Sequence, residues 1–455
     1  MVRQRVFIQD KQFMLKQLDG QPAVTFHGIL HCRVYVPLKA AQEMRNIGFL
    51  PYRCERSQKS LIFFCKNCYL KRNQTEVCKC DRVTSSWYGM YFSDEILYSM
   101  SLGYEIDILS FFGYTRQEKI LSKWMSIMAH QKLRFTDHGC EEGLEERLSF
   151  INQKSGFVSD ELRLTKEKLN PNASMKSAVK LLMNSAIGKW GQLNLKTNTT
   201  FVYSDEDLNK LFADTSIEIC NVTLVTENSL MVNWKTREEK NLSSLNTNFY
   251  VSGVISSLGR IYLDRLIRLA LNAGQALIYT DTDSILSLKS RSQSKIDWLY
   301  DDAILGGLKS EIPEGHYISK IDILGAKSYA LTYTCRETGD ERVDLKLKGI
   351  NLPQAVTNQS LKQKSFHQLV IEDEKVLKVP QMRFQISKEH LTVKPVEQWK
   401  TVRTTVDKRF TIDGQNPTLL FGYGFKDFAH CNNVDVINSL QAENDPESSY
   451  NVVAN

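Results

Sequence analysis

The sequence predicts an α/β protein of the mixed α+β kind. Two stretches, residues 156–192 and 254–274, carry apolar residues at the spacing of amphipathic helices. Short runs of β-type residues lie before, between and after them. In residues 276–288 two apolar runs flank a short acidic turn, which is the pattern of a β-hairpin. A chain of 455 residues is long enough for roughly two to four packed units with ordinary cores.

Composition narrows the class of protein. Hydrophobic residues make up 42% and charged residues 24%, as in soluble globular proteins. The net charge of +6 permits a polyanionic partner without requiring one. No apolar run approaches the ~20 residues that cross a bilayer, and the N-terminus has no apolar signal region, so we expect neither a membrane partner nor secretion. Ten cysteines are too few for a disulfide scaffold, which favours the nucleus or the cytoplasm.

Shifts in composition divide the chain into six stretches. The first mixes strand-like runs with a predicted helix that ends at Gly103, the third is rich in Asn, Ser and Thr, and the fifth alternates strand and helix signals. The sixth is polar, and we expect it to be loose. The boundaries are 1–150, 151–194, 195–250, 251–350, 351–425 and 426–455.

The second and fourth stretches contain the clearest local signals. The second carries a helix whose N-cap is predicted to be Asn172 or Ser174, just after Pro171, and which Gly188 closes. The fourth begins with a helix that ends at Gly274. It continues with the hairpin and two further strands.

The acidic turn of the hairpin is a candidate metal site. It reads Tyr-Thr-Asp-Thr-Asp-Ser, with the carboxylates at Asp281 and Asp283. Residues two apart on an extended chain point the same way, so both carboxylates can face one cation. Their hard oxygens suit Mg²⁺. A bare Asp-x-Asp is commonly a solvated turn, but the apolar strands on both sides favour the metal site.

The predicted helix upstream is a candidate phosphate site. Its motif reads Lys-Leu-Leu-Met-Asn-Ser-Ala-Ile-Gly-Lys-Trp-Gly from Lys180 onwards. Lys168, Lys176 and Lys180 are eight and four residues apart, and Asn184 follows one turn later, so a continuous helix places all four near one face. A row of ammonium groups can neutralise a triphosphate. The alternative is a surface helix with solvated lysines.

The two motifs together resemble motifs B and C of family-B DNA polymerases, particularly the protein-primed branch of linear plasmids, adenoviruses and Maverick/Polinton-type mobile elements. The resemblance implies part of a right-hand polymerase with palm, fingers and thumb. The implied units are an N-terminal insertion module similar to the terminal-protein region (1–150), fingers helices with motif B (151–194), a second insertion (195–250), the palm (251–350), a thumb-like unit (351–425) and a loose tail (426–455).

The resemblance also implies roles for the motif residues. Asp283 is the main Mg²⁺ carboxylate of a two-metal site, with Asp281 beside it. The side chains implied to contact the phosphates of the incoming dNTP, and to shape the nucleotide and template site, are Lys168, Lys176, Lys180 and Asn184. Ser185 and Gly188 of motif B are assigned to primer and DNA binding.

A third motif is similar to the Lys-x-Tyr that holds the primer terminus in this family. It comprises Lys327 and Tyr329 in Gly-Ala-Lys-Ser-Tyr. Two residues apart on a strand, they share one face and can grip a phosphate and a sugar. Lys-x-Tyr alone is too common to identify a function.

Four cysteines have the spacing of a metal site. Cys65 and Cys68 precede Cys78 and Cys80 by a short loop. Two ligand pairs on two turns suit a tetrahedral Zn²⁺ with a structural role, because four protein ligands leave no open position. The second pair is tighter than the common Cys-x₂-Cys, and the alternative is a set of buried small hydrophobes. Mobile-element polymerases that the chain resembles carry a similar cysteine-bearing insertion.

Two departures from the family pattern bear on activity. The family places a third carboxylate in Asp-x₂-Ser-Leu-Tyr-Pro, and residues 1–60 contain no such motif. We therefore expect the chain to begin just after that motif and to lack the exonuclease domain. Ile187 stands where the family has Tyr or Trp. Because two Mg²⁺ ions beside a triphosphate need several carboxylates, little or no nucleotide incorporation is expected from this chain alone.

The favoured hypothesis is a fragment of a DNA-directed DNA polymerase that adds dNTP to a primer 3′ end in the replication of a mobile element or virus. Its expected partners are primer–template DNA, dNTP and a terminal protein primer. DNA binding is expected to use phosphates and to weaken with salt. The alternative is a catalytically dead, nucleic-acid-binding remnant. An RNA-templated polymerase is a third hypothesis, and the Lys-x₃-Asn-Ser helix argues against it.

Overall fold

The structure of the chain is a computed structural model. It describes residues 15–18, 21–24, 27–54, 58–73, 78–114, 119–139, 142–192, 197–237, 247–288, 306–350, 377–387, 392–402, 410–412, 415–422 and 450–454. These residues form helices and several antiparallel sheets, consistent with the mixed α+β prediction. Within them, no helix combines the length and apolar character that crossing a bilayer requires.

The N-terminal unit is built on a three-stranded sheet packed against short helices. Its elements are β1 (Leu15–Leu18), β2 (Gln21–Val24), β3 (His27–Tyr35), α1 (Leu38–Glu43), β4 (Tyr52–Arg53), β5 (Ser60–Leu61), α2 (Lys66–Lys71), α3 (Arg82–Ser85), β6 (Trp87–Phe92), α4 (Ser93–Ser101) and β7 (Glu105–Tyr114). β3 lies between β6 and β7 and alternates buried with half-buried residues, so one face supplies the core. Gly103, with φ +88°, follows the end of α4 as predicted.

The core of this unit also takes in residues from far along the chain. Leu420 and Phe421 are buried among its aromatic side chains. The backbone N–H groups of Phe64 and Cys65 donate to the carbonyl of Phe421 at 2.8 and 3.2 Å. The backbone N–H of Leu420 donates to the side chain of Asn46 at 2.7 Å. A segment that the sequence assigned to a thumb-like unit is therefore docked on the N-terminal unit.

Two helices, α5 (Ser122–Arg134) and α6 (Leu144–Ser155), precede the stretch 156–192 that was predicted to be helical. Within that stretch the helical elements are the 3₁₀ turns Asp160–Leu162 and Lys166–Lys168 and the helix α7 (Ala173–Trp190). Asn172, one of the two residues predicted as the N-cap of this helix, is the N-cap of α7. Its side chain accepts a hydrogen bond from the N–H of Met175 at 3.0 Å. The prediction that Gly188 closes the helix is wrong, because α7 runs on to Trp190 and ends at Gly191.

The polar stretch that follows folds as a small α+β unit. It contains β8 (Asn198–Val202), α8 (Asp205–Ala213), β9 (Ile217–Thr226) and β10 (Ser229–Thr236), with β10 in the middle of the sheet. The long helix α9 (Phe249–Asn272) comes next and begins earlier than predicted, because the side chain of Asn248 caps it by accepting from the N–H of Val251. Gly274, with φ +80°, follows its end.

The largest sheet contains the predicted hairpin. The remaining strands of the chain are β11 (Ala276–Asp281), β12 (Ser284–Leu288), β13 (Lys309–Ser310), β14 (His316–Gly325), β15 (Ser328–Cys335), β16 (Glu341–Lys346), β17 (Leu377–Ser387), β18 (Thr392–Val402), β19 (Phe410–Ile412), β20 (Gln415–Leu419) and β21 (Tyr450–Ala454). The sheet order is β11-β12-β21-β14-β15-β16, and β13 also pairs with β21. Residues 318–350 were predicted to form two strands, but they contain most of β14 and all of β15 and β16.

Two expectations for the C-terminal third need correction. The tail 426–455 was expected to be loose, but its described residues, 450–454, form β21, which pairs with both β12 and β14. Residues 426–449 and 455 lie outside the described residues. Between residues 377 and 422 the described residues form the hairpins β17–β18 and β19–β20 and no helix. Residues 360–376 belong to the stretch 360–420, for which alternating strand and helix signals were predicted, and they lie outside the described residues.

Helix α9 joins the N-terminal unit to the large sheet. Ile261 on α9 is buried in the N-terminal core, whereas Leu266 and Leu271 pack with Ile285 of β12. On the N-terminal side, the Tyr98 hydroxyl donates to Asp264 at 2.7 Å. The position of the β11–β12 hairpin relative to the N-terminal unit therefore depends on this helix.

Candidate functional site

The tip of the β11–β12 hairpin carries the two predicted metal ligands. Asp281 ends β11, and Thr282 and Asp283 form the turn, with φ +56° at Thr282. The N–H of Asp283 donates to the carbonyl of Asp281 at 2.6 Å. The prediction that the two carboxylates lie on an extended chain is wrong, because the turn separates them. Asp281 is half-buried and Asp283 is exposed, so the carboxylates of both residues are accessible at the tip of the hairpin.

A second hairpin brings Lys327 to the same place. Lys327 lies in the turn between β14 and β15, with φ +60°, so it does not share a strand face with Tyr329 as predicted. Its Nζ lies 3.6 Å from Oδ2 of Asp281. Its backbone N–H donates to the hydroxyl of Tyr279 at 2.8 Å. The two hairpin tips therefore meet, although Asp281 and Lys327 are 46 positions apart in the chain.

Two tyrosine rings pack against each other where the two hairpin tips are in contact. The rings of Tyr279 and Tyr329 are 5.3 Å apart between centroids. Burial raises the pKa of Tyr279, and the N–H of Lys327 partly offsets this by donating to its hydroxyl. Tyr279 therefore remains protonated near neutral pH and packs as a neutral ring beside Asp281.

Lys346 is a further member of this group and was not among the predicted site residues. It faces Tyr329 across the β15–β16 pair, and its Nζ lies 5.7 Å from the centroid of that ring. Burial lowers the pKa of Lys346, but Tyr329 and Asp344 outweigh burial and raise it overall. Lys346 therefore stays a cation. The cross-strand register of β15 and β16 is what places Lys346 in this group.

Helix α7 presents part of the predicted phosphate-binding row. Lys180 and Asn184 are exposed on α7, and Lys176 is half-buried. The prediction that Lys168 lies on the same helix is wrong. Lys168 belongs to a separate 3₁₀ turn, since extended backbone and Pro171 intervene, and its Nζ donates to the carbonyls of Glu161 and Arg163.

The two remaining motif B positions are also on the surface of α7. The Ser185 hydroxyl donates to the carbonyl of Leu182 at 3.1 Å, one turn back on the same helix. Gly188 is exposed, and a Cβ added there would meet no atom within 4 Å. Both positions are therefore open to a partner.

The C-terminal end of α7 is fixed to the start of α9. The Ser252 hydroxyl donates to the carbonyl of Ile187 at 3.1 Å, and the N–H of Asn248 donates to the carbonyl of Trp190 at 2.9 Å. Helix α9 in turn packs on β12. The structure thus connects the lysine-bearing helix to the aspartate hairpin through α9. Among the described residues, no hydrogen bond or ion pair joins Lys176 or Lys180 directly to the aspartates.

The four predicted cysteines come together at a different place. Their sulfur atoms all lie within 4.8 Å of one another, and Cys68 Sγ is 3.9 Å from Cys80 Sγ. All four are free thiols, two of them buried and two half-buried. Contact with Cys65 and Cys68 lowers the pKa of the Cys78 thiol. Elsewhere in the described part of the chain, no other group of three or more Cys, His, Asp or Glu is placed to hold a metal.

Comparison with known proteins supports the resemblance seen in the motifs. Residues 154–269 match the family described as DNA polymerase type B, organellar and viral. This stretch contains α7 and most of α9, whereas the aspartate hairpin lies after its end. No solved structure matches the chain.

Two fungal proteins extend the comparison. A protein of Podospora anserina named "Probable DNA polymerase" is 27% identical over 250 residues, which are 54% of this chain and 18% of that protein. A protein of Neurospora intermedia with the same name is 24% identical over 245 residues, 53% of this chain and 20% of that protein. The matches thus span about a fifth of the length of these relatives. Together with the family match, they support a family-B polymerase and a DNA polymerase-related function.

Proposed function

We propose that this chain is part of a DNA-directed DNA polymerase that transfers a nucleotide from dNTP to a primer 3′ end. The observation that carries the proposal is the meeting of the Asp281 and Lys327 hairpin tips. These residues belong to two motifs that are remote in the chain and were selected separately from the sequence. A family-B match over the helix that bears Lys180 supports the same function.

Asp281 and Asp283 are proposed to hold Mg²⁺. Their donor set fits the ion, because both supply carboxylate oxygens at an accessible tip. When bound, the metal would lower the pKa of the primer 3′-hydroxyl and neutralise charge on the triphosphate. Lys327, 3.6 Å from Asp281, provides a fixed positive charge beside the ion site. Such a charge can hold a phosphate of the primer terminus against the metal carboxylates.

Helix α7 is proposed to bind the incoming nucleotide. Lys176 and Lys180 are one turn apart, so their ammonium groups can neutralise neighbouring phosphates. Asn184 follows one turn later and offers an amide to the base or sugar. Ile187 is half-buried and lacks the flat face of Tyr or Trp, so its contact with the sugar is expected to be weaker. Lys168 has its Nζ on two backbone carbonyls and is less available for this role.

The wider assignments belong to the same proposal. The large sheet would be the palm, α7 part of the fingers, and the β17–β18 and β19–β20 hairpins part of a thumb-like unit. The complete enzyme would replicate a mobile element or virus and would use a terminal protein as its primer. Because the matches cover about a fifth of the relatives' length, these properties are proposed for a longer protein of which this chain is part.

A nucleic-acid-binding remnant without catalysis is the second candidate. It is favoured by one observation: in the part of the chain that the structure describes, the hairpin aspartates gather no third Asp, Glu, His or Cys ligand. Two metal ions next to a triphosphate need more carboxylates than this tip provides.

Nucleotide-dependent DNA binding distinguishes the two candidates. The full chain is mixed with a fluorescent primer–template whose primer ends in a dideoxynucleotide, so that no chemistry follows. In Mg²⁺, the dNTP complementary to the next template base is expected to strengthen binding several-fold, measured by fluorescence anisotropy. Lys180→Ala is expected to abolish this gain. The matched control is Lys210→Ala, since Lys210 is an exposed lysine on α8 that pairs with Asp207.

Binding that is equal with all four dNTPs, or that does not depend on Mg²⁺, would contradict the polymerase proposal and favour the remnant. A second assay uses an extendable primer. We expect little or no incorporation from this chain alone, because the described tip supplies only two carboxylates. Robust Mg²⁺-dependent extension that is lost in Asp283→Asn would show instead that the metal site is complete.

A further inference from the structure

The cysteine cluster lies apart from the proposed polymerase site and has the dimensions of a mononuclear metal site. Four sulfurs at about 2.3 Å from one tetrahedral ion lie about 3.8 Å from one another. The observed Cys68–Cys80 separation is 3.9 Å, and all four sulfurs lie within 4.8 Å of one another. A cluster of two or more irons would hold its outer thiolates farther apart, because bridging sulfides and several ions lie between them.

We propose that Cys65, Cys68, Cys78 and Cys80 bind one Zn²⁺ in a closed site, and that this ion holds residues 420–422 on the N-terminal unit. Four thiolates fill the tetrahedral coordination of Zn²⁺ and leave no position for a substrate, so the role is structural. The proposal does not depend on the polymerase function, since it uses different residues and a different test.

Backbone and amide groups around the sulfurs suit thiolate ligands. Cys65 is the N-cap of α2, and its sulfur accepts from the N–H of Cys68 at 3.4 Å. The side-chain amide of Asn67 donates to Cys80 Sγ at 3.1 Å, and that of Asn73 to Cys68 Sγ at 3.7 Å. Donors of this kind stabilise negative charge on metal-bound ligands and orient them. Cysteines that serve only as small apolar core residues need neither to place four sulfurs within 4.8 Å of one another nor to receive hydrogen bonds from side-chain amides.

The same cysteine that would bind the metal also contacts the C-terminal segment. The N–H groups of Phe64 and Cys65 both donate to the Phe421 carbonyl. Gly422 lies so close that an added Cβ would be 2.4 Å from Cys65 Cβ. The ring of Phe421 packs edge-on against Tyr69 of α2, with centroids 5.5 Å apart.

The position of the 420–422 segment therefore depends on where α2 and Cys65 are held. Helix α2 is only six residues long, which is too short to be stable without tertiary support. A Zn²⁺ ion that links it to Cys78 and Cys80 would supply that support. Loss of the ion would free α2, and with it the docking site of Phe421.

Metal analysis tests the site directly. The full chain, purified under reducing conditions, is expected to contain about one zinc ion per molecule and to bind Co²⁺ with the visible and near-ultraviolet spectrum of a tetrahedral thiolate site. Cys78→Ser is expected to lose most of the bound zinc. Cys220→Ser is the matched control, because Cys220 is an exposed free cysteine on β9 and is expected to leave the zinc content unchanged.

Hydrogen exchange on the wild-type chain tests the structural role without any mutation. After removal of metal with a strong chelator in reducing buffer, peptides covering 61–71 and 415–422 are expected to exchange roughly tenfold faster, whereas α5 remains unchanged. The absence of zinc from the purified chain, iron in its place, or equal zinc in Cys78→Ser would overturn the metal assignment. Unchanged exchange in 415–422 after metal loss would overturn the docking role.

Discussion

Replacing Lys327 with methionine is expected to increase the affinity of the hairpin tip for divalent cations. The Lys327 ammonium lies 3.6 Å from Oδ2 of Asp281, where it competes with a metal for the same carboxylate and repels the incoming ion. Methionine keeps most of the length of the side chain and removes the charge. The hydrogen bond from the backbone N–H of Lys327 to the hydroxyl of Tyr279 does not involve the side chain of residue 327. The substitution therefore retains this contact between the two tips.

The size of the effect follows from the geometry. For unit charges at 3.6 Å, Coulomb's law gives about 1 kcal/mol at a dielectric constant of about 80 and about 5 kcal/mol at about 20. The lysine side chain is 64% exposed and the aspartate 32%, so the value near water applies. About 1 kcal/mol corresponds to about a fivefold increase in affinity.

The assay is a titration of the full chain with Mn²⁺, followed by water-proton relaxation and checked by competition with Mg²⁺. Lys320→Met is the matched control, since it removes the same charge from an exposed position farther along β14. Asp281→Asn is expected to weaken Mn²⁺ binding. If Lys327→Met binds Mn²⁺ no better than Lys320→Met, or binds it more weakly, Lys327 does not compete with a metal and the proposed ion site is wrong.

Three further predictions concern the elements that position the site. Asp264→Ala is expected to lower the free energy of unfolding by about 3 to 5 kcal/mol, because Asp264 is buried and accepts from Tyr98 and Arg268; urea denaturation measures it. Gly422→Ala is expected to lower the free energy of unfolding by about 1 to 3 kcal/mol. The reason is that Gly422 has a φ of +91° and the added Cβ would clash with Cys65. Asn172→Ala is expected to lower stability by about 1 kcal/mol through loss of the α7 N-cap, measured by circular dichroism during denaturation.

Each of these predictions has a control. Tyr98→Phe is expected to have little added effect in an Asp264→Ala background, since the hydroxyl has already lost its partner, and full additivity would argue against the network. Gly315→Ala shares a positive φ of +71° but meets no atom within 4 Å, so an equal loss there would mean that contact with Cys65 is irrelevant. Asn172→Ser retains a capping oxygen and is expected to restore most of the stability; no recovery would exclude the cap.

Local features were predictable because local interactions produce them. The side chain of Asn172 caps a helix within three residues of itself, and the apolar runs around Asp281 pair across a two-residue turn. The spacing of Cys65, Cys68, Cys78 and Cys80 likewise predicted a cluster that the structure brings together. The predictions that failed assumed that a local pattern continues. Lys168 was placed on a helix that does not extend to it, and Thr282 was treated as extended backbone.

What the sequence by itself determined is the set of chemical groups: two carboxylates on a hairpin, lysines on a helix, a Lys-x-Tyr and a four-cysteine cluster. Only the tertiary structure decided how they combine. The ion pair between Lys327 and Asp281, the place of Lys346 beside Tyr329 and the docking of Phe421 on α2 all join residues remote in the chain. Such contacts depend on the path of the backbone between them, here largely on α9 and on the strand order of the large sheet, and no local periodicity or spacing encodes that path.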